Sequence, residues 1–186
     1  MVDKISLFTG ERIYNMAGNK SKAKGNSWER DVANHLSTLY GETFIRVPHS
    51  GAYIGGKNQF RKQFLHEGQI RSMKGDITPP LSWTKFNCEC KSYADFPFHQ
   101  LYSGTIKILE SWLDQLHDAA DPGDFNILIM KFNRKGKFIA VAHEWANIEH
   151  SNYSIYKSNK HGIWYIFDYD HFWKHNKDRV LAHSTT

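Results

Sequence analysis

Three charged residues in the middle of the chain, Asp76, Glu89 and Lys91, could carry out chemistry together. Glu89 and Lys91 lie in the alternating run 85–91, which predicts a strand with its polar side chains on one face. Asp76 lies in an earlier β-favouring segment, and pairing of the two strands would bring its carboxylate close to that of Glu89. Mg²⁺ prefers such oxygen ligands, and Lys91 could hold an attacking water or offset charge on phosphorus. The pattern therefore predicts a metal-dependent site that cleaves phosphodiesters.

A third carboxylate, Glu29, lies at the edge of the apolar stripe of a predicted helix. That helix is expected to begin at Ser27, a good N-cap, and to end at Gly41. An unpaired carboxylate near a core is unfavourable, but it is tolerated if it faces a metal-bound water or a basic partner. Glu29 is therefore a candidate site residue, although an acid in the first turn of a helix is also favoured by the helix dipole.

The remaining elements suggest an α/β fold with a central mixed β-sheet flanked by helices. A short strand is expected at Thr43–Val47, and a long polar stretch from His49 to Lys74 follows it. A helical pattern runs from Pro97 to Leu116, and two strands joined by a hairpin turn are expected at Phe125–Phe132 and Lys137–Val141. The β-favouring run Ile163–Phe167 and a short helix near His171–Lys174 are interpreted as covering elements.

These motifs resemble the PD-(D/E)XK nuclease superfamily and, more narrowly, its archaeal-type and phage Holliday-junction resolvases. The resemblance extends over roughly Ser27 to Gln115 and rests on motifs in the expected order: Glu29 on the first helix, Arg46-Val-Pro-His-Ser50-Gly51 after the first strand, Gly75-Asp76-Ile77, and Glu89-Cys90-Lys91. It implies a restriction-endonuclease-like fold. A long insertion between Ser50 and Asp76 and a Trp- and His-rich tail distinguish this chain from archaeal resolvases.

The resemblance also implies the roles of individual residues. Glu29, Asp76 and Glu89 would bind Mg²⁺, for which Mn²⁺ would substitute, together with the backbone carbonyl of Cys90. Lys91 would be catalytic, and Ser50 would lie near the scissile phosphate. Gln115 is a further candidate site residue, because some superfamily members have a glutamine that assists the site on the helix after the E-x-K strand. Resolvases of this type are homodimers that present two sites to a four-way DNA junction, so a homodimer is implied here.

The charge balance agrees with a nucleic-acid partner. The 186 residues include 24 Lys and Arg against 19 Asp and Glu, a net charge of +5, which predicts attraction to polyanions. Basic residues of the hairpin 131–137 are also expected to contact phosphates. The main candidates for DNA contacts flank the predicted site: Arg46, Lys57, Arg61, Lys62, Arg71 and Lys74.

Several other classes of protein do not fit the sequence. It contains neither a phosphate-binding loop motif nor a dinucleotide-binding glycine motif, so no nucleotide cofactor is expected. No apolar run is long enough to cross a membrane, and the start lacks the apolar stretch of a signal peptide, which predicts a cytoplasmic protein, in the host cytoplasm if phage-encoded. Cys88 and Cys90 share the apolar face of their strand, where core packing is favoured over zinc binding.

We therefore expect a flexible basic arm at residues 1–25 and one nuclease domain at 26–186, with a catalytic core at about 26–142 and a covering extension at 143–186. The favoured function is structure-selective cleavage of four-way junctions by paired phosphodiester hydrolysis. Two alternatives stay open: another PD-(D/E)XK DNA endonuclease, such as a restriction-type or nicking repair enzyme, and a DNA-binding protein without catalysis.

Overall fold

The computed structural model describes residues 9–48, 60–61, 63–146 and 152–185, and the side chains of all of these except 9–21, 67 and 71. Its elements follow this order along the chain: α1 (Thr9–Tyr40), β1 (Ile45–Arg46), α2 (Glu67–Ser72), β2 (Ile77–Thr78), β3 (Phe86–Tyr93), a 3₁₀ helix (Phe98–Tyr102), α3 (Lys107–Ala119), β4 (Phe125–Phe132), β5 (Gly136–Ala142), a second 3₁₀ helix (His143–Trp145), β6 (Tyr153–Ser158), β7 (Gly162–Asp168) and α4 (Tyr169–Thr185).

A five-stranded sheet in the order β3-β4-β5-β7-β6 forms the centre of the fold. Strands β3 and β4 are parallel and are connected through α3, whereas the other neighbours are antiparallel. Strands β1 and β2 form a separate two-stranded antiparallel ladder beside β3. The expected α/β fold with a central mixed sheet flanked by helices is confirmed.

The sheet separates two apolar cores. Alternate residues of β3 and β4, including Cys88, Cys90 and Ile129, pack on one face with side chains of α1 and α4. The intervening residues of β4, Leu128 and Met130, pack on the other face with α3 and the strands β6 and β7. The middle of strand β4 is apolar on both faces because both faces are covered, which explains the apolar run Ile127–Met130.

Some predicted boundaries are wrong. Helix α1 begins at Thr9, so Ser27 is not its N-cap, and residues 9–25 of the expected arm are helical. The division of the chain into an arm and one nuclease domain stays a prediction. The helical pattern after Pro97 is split into the 3₁₀ helix and α3, since residues 103–106 between them are not helical.

The C-terminal part of the chain also differs from expectation. Strands β6 and β7 extend the central sheet rather than cover it, and β6 was not predicted. Helix α4 is 17 residues long, far longer than the short helix expected near His171. The described part of the chain contains no helix that combines the length and apolarity needed to cross a membrane.

A buried carboxylate fastens the β6–β7 hairpin to α3. Glu110 on α3 accepts hydrogen bonds from the Tyr156 hydroxyl (2.6 Å), the Ser158 hydroxyl (2.8 Å) and the backbone N–H of Asn159 (3.2 Å). Glu110 is only 9% exposed, so removal of its carboxylate leaves buried donors without a partner.

We predict that Glu110→Ala lowers the free energy of unfolding by about 2–3 kcal/mol, because several charge-assisted hydrogen bonds are lost together. Urea denaturation followed by circular dichroism measures the change. Glu144→Ala is the matched control, since among the described residues this exposed side chain is paired with exposed His143, and its loss is expected to change stability by less than about 0.5 kcal/mol. Equal unfolding midpoints for the two variants would contradict the proposed role of Glu110.

Candidate active site

Asp76 is held against β3 by its own backbone and side chain. Its N–H donates to the carbonyl of Cys88 (2.8 Å), and its Oδ2 accepts from the N–H of Cys90 (2.7 Å). The preceding Gly75 has φ +60°, and a Cβ there would lie 2.5 Å from the Cys88 carbonyl oxygen. Only glycine fits this close approach, so Gly75 allows Asp76 to reach β3.

The predicted approach of Asp76 to the Glu89 strand is therefore present, although the ladder partner of β2 is β1. Val47, just after β1, donates its N–H to the carbonyl of Asp76 (2.9 Å), which connects the small ladder to the same point. The short strands β1 and β2 thus act as a support that places Asp76 beside β3.

Glu89 and Lys91 share the face of β3 that looks toward α3. Their partners on β4 are Leu128 and Met130, which belong to the core beneath α3. The Lys91 ammonium lies 2.5 Å from Glu89 Oε1 and donates to Gln115 Oε1 at 2.5 Å. The structure therefore places Gln115, which lies on α3, in contact with the lysine of the E-x-K motif.

Burial and mutual repulsion characterise the carboxylates of the site. Burial, followed by the charge of Asp76, raises the pKa of Glu89 to about 7, and the Lys91 ammonium opposes this shift. Burial and then Asp76 also raise the pKa of Glu29, against the effect of Arg46 and Lys91. The three acids are therefore close enough to destabilise one another as anions, as expected where carboxylates converge.

The donor set fits a hard divalent cation. Asp76 is 5% exposed and Glu89 is 8% exposed, and a cation between these buried carboxylates would offset their repulsion. The described residues contain no group of three or more His, Cys, Asp or Glu side chains already arranged to hold a metal ion. Two carboxylates completed by water and substrate phosphate match the way Mg²⁺ is usually bound.

Glu29 has the basic partner that its position near the core requires. Arg46 Nε lies 2.5 Å from Glu29 Oε2, and Arg46 Nη2 donates to Asn26 Oδ1 at 2.7 Å. Asn26 precedes Glu29 by three residues and shares its helix face. Arg46 was predicted as a DNA contact, and its pairing with Glu29 is a role that sequence reasoning missed. The sequence does not indicate that Arg46 lies beside Glu29, because the two residues belong to different elements.

The DNA contact of Lys74 stays a prediction, and the placement of this side chain in the structure speaks against it. Lys74 is 7% exposed and forms ion pairs with Asp124 and, at 3.1 Å, with Asp121. A phosphate contact requires an accessible ammonium, whereas this lysine ties the segment before Asp76 to the turn before β4. The acidic turn Asp121-Pro-Gly-Asp124 could have indicated an ion pair, but the sequence does not show which basic residue is its partner.

Other predicted residues differ in how far the structure describes them. Ser50, Lys57 and Lys62 lie outside the described residues, as does the side chain of Arg71 on α2. The Arg61 guanidinium lies 5.9 Å from the centroid of the Phe60 ring. All of these assignments, and that of the Cys90 carbonyl as a metal ligand, stay predictions.

The thiols of Cys88 and Cys90 are buried in the core, with their sulfur atoms 3.9 Å apart. Burial raises the pKa of both thiols, so both are protonated and apolar in character. Their predicted role in core packing is confirmed.

Comparison with known proteins agrees with this geometry. The sequence model of a family described as "Phage putative PDDEXK endonuclease" matches residues 20–182. No curated protein matches the chain, and no solved structure does. The matched range contains α1 from residue 20 onward, the two-stranded ladder, the whole five-stranded sheet and every site residue from Glu29 to Gln115. It therefore confirms the restriction-endonuclease-like fold and membership of the PD-(D/E)XK superfamily. Since the match spans most of its length, the chain belongs to this family of phage PDDEXK endonucleases.

Proposed function

We propose that this protein is a divalent-metal-dependent DNA endonuclease whose site is built from Asp76, Glu89 and Lys91. The observation that supports the proposal most directly is the buried cluster on β3: Asp76 hydrogen-bonded to the Cys90 N–H, beside a Glu89 that is paired with Lys91. A structural role does not account for two adjacent buried carboxylates, Asp76 and Glu89, where burial and then the charge of Asp76 raise the pKa of Glu89. The matching family is described as an endonuclease, which points to the same activity.

Asp76 and Glu89 would hold the metal, with Glu29 as a third carboxylate kept in place by Arg46. We propose Mg²⁺ as the ion, with Mn²⁺ as a substitute, because all three ligands are hard carboxylate oxygens. When bound, the metal would polarise the phosphodiester and lower the pKa of a coordinated water.

Lys91 would act on the reacting phosphate directly. Its ammonium is fixed between Glu89 Oε1 and Gln115 Oε1, which accept two of its three N–H groups and leave one for a substrate or water oxygen. A cation held in this way can orient the attacking water or stabilise the charge that develops on the phosphoryl oxygens. Gln115 would be a positioning residue, since its contact is with Lys91.

The proposed substrate is a four-way DNA junction, cut by a homodimer through paired hydrolysis in opposing strands. The support is the resemblance of the ordered motifs to junction resolvases, together with the absence of a base-reading motif in the sequence. The same catalytic residues would equally serve a duplex-cutting or nicking endonuclease, which is the second candidate. We also propose the host cytoplasm as the place of action.

Lys91→Ala is predicted to lower the single-turnover rate of DNA cleavage by about 10²–10³-fold, because a preorganised cation is removed from the reacting phosphate. Glu89→Gln is predicted to abolish cleavage, since the amide supplies no charge to the metal. Both are measured with an end-labelled DNA substrate and Mg²⁺. Lys157→Ala, an exposed lysine on β6, is the matched control and should cut at the wild-type rate. Cleavage by Glu89→Gln at the control rate would refute the site assignment.

A labelled four-way junction mixed with excess linear duplex of the same arm sequences tests the substrate. Paired, symmetric nicks in opposing strands of the junction, with the duplex intact, are the predicted result in Mg²⁺. Equal cutting of the duplex would contradict junction selectivity while leaving the nuclease chemistry in place.

A further inference from the structure

A groove of about 460 Å³ lies between α1, the β4–β5 hairpin and the start of α4. We call it the basic groove, because three cations and one acid are among the residues that line it: Lys131, Arg134, Lys137 and Asp31. Its aromatic lining includes Trp28 and Tyr169.

The two lysines of the basic groove are placed directly opposite one another. Lys131 on β4 and Lys137 on β5 are register partners, so their side chains share one face of the sheet. Like charges directly opposite on neighbouring strands destabilise a sheet. The repulsion between the two ammonium groups is relieved when an anion lies between them.

Aromatic rings and weak ion pairs hold both ammonium groups at the groove. Lys131 Nζ lies 4.9 Å from the Trp28 ring centroid, and Lys137 Nζ lies 4.7 Å from that of Tyr169. Both rings are buried, so they orient the lysines but offer no free face on which a base could stack.

The acidic neighbours of these lysines form only weak ion pairs with them. Asp31 lies 3.7 Å from Lys131, and Asp170 lies 3.3 Å from Lys137. The two aspartates are 54% and 72% exposed, and exposed pairs of this kind contribute little free energy. Both ammonium groups are therefore available to another anion at small cost.

The basic groove lies on the face of the sheet that packs against α1 and α4, one strand position beyond Lys91. Lys131 is the register partner of Ser92, the residue after Lys91 on β3. On α1, Trp28 directly precedes Glu29. The groove and the Lys91 side chain thus lie on opposite faces of the same pair of strands, near the ends of β3 and β4, and a DNA backbone that places a phosphate at the site would reach the groove by passing around these strand ends.

We propose that the basic groove binds the sugar–phosphate backbone of the DNA on one side of the scissile phosphate, with Lys131 and Lys137 contacting phosphate groups. The inference rests on the proposed function and adds the path that the substrate takes over the protein. Because the aromatic rings are buried and the contacts are to phosphates, this part of the interface binds DNA without reading its sequence.

The test is the salt dependence of DNA binding by the full chain, measured by fluorescence anisotropy with a labelled duplex between 50 and 200 mM NaCl and without divalent ions. Lys131→Gln/Lys137→Gln is compared with Lys107→Gln/Lys157→Gln, which removes the same charge from exposed lysines elsewhere. Loss of two phosphate contacts is expected to reduce the slope of log K against log salt by about 1.8, whereas the control keeps the wild-type slope.

Lys131→Arg/Lys137→Arg preserves the charges and should retain the wild-type slope, which separates a charge effect from misfolding. Thermal melting of the glutamine and arginine variants checks that both are folded at the temperature of the binding measurement. If the glutamine variant and the lysine control bind with the same slope, the groove is not a DNA path. If the slopes are the same but the wild-type protein cuts DNA, the proposed function still stands. If the wild-type protein neither binds nor cuts DNA, both the proposed function and the DNA path are refuted.

Discussion

The hydrogen bond from the Cys90 backbone N–H to the Asp76 carboxylate is the contact on which the site depends. It fastens the β1–β2 ladder to β3 and places one buried acid beside another, Glu89, at the edge of the sheet. This proximity is unfavourable for two anions, and it is offset in part by the Lys91 ammonium. Gly75 permits the approach, and the buried pair between Lys74 and Asp124 holds the chain just before it. The two residues before Asp76 thus both help to place its carboxylate.

The two faces of the sheet carry different groups of residues. Side chains that alternate along β3 and β4 place Glu89 and Lys91 under α3, where Gln115 completes the lysine contacts. The opposite face contributes Cys88, Cys90 and Ile129 to the core with α1 and α4, and the same row ends in Lys131 at the basic groove. Lys91 and Lys131 therefore come from neighbouring register positions of the parallel pair β3–β4 but point to opposite faces of the sheet, and Lys137 is contributed by β5.

Much of this arrangement could be predicted from the sequence because it depends on local periodicity. The alternation around Glu89 predicts which residues share a face, and the long apolar run of β4 predicts its burial. Pairings between distant segments could not be predicted. Arg46 contacts Glu29 and Lys74 contacts Asp124 only because the fold brings them together. The sequence around a basic residue in a polar stretch does not reveal whether that residue contacts DNA or a buried acid. Strand β6 was missed because its exposed edge carries mixed polar and apolar residues.

The most direct test of the central claim is diffraction from crystals grown with Mn²⁺, recorded at a wavelength where manganese scatters anomalously. We predict an anomalous peak within about 2.0–2.4 Å of carboxylate oxygens of both Asp76 and Glu89, and its loss in Glu89→Gln crystals. A protein that cuts DNA in Mn²⁺ while its only bound manganese lies away from Asp76 and Glu89 would contradict the assignment of these acids as the metal site.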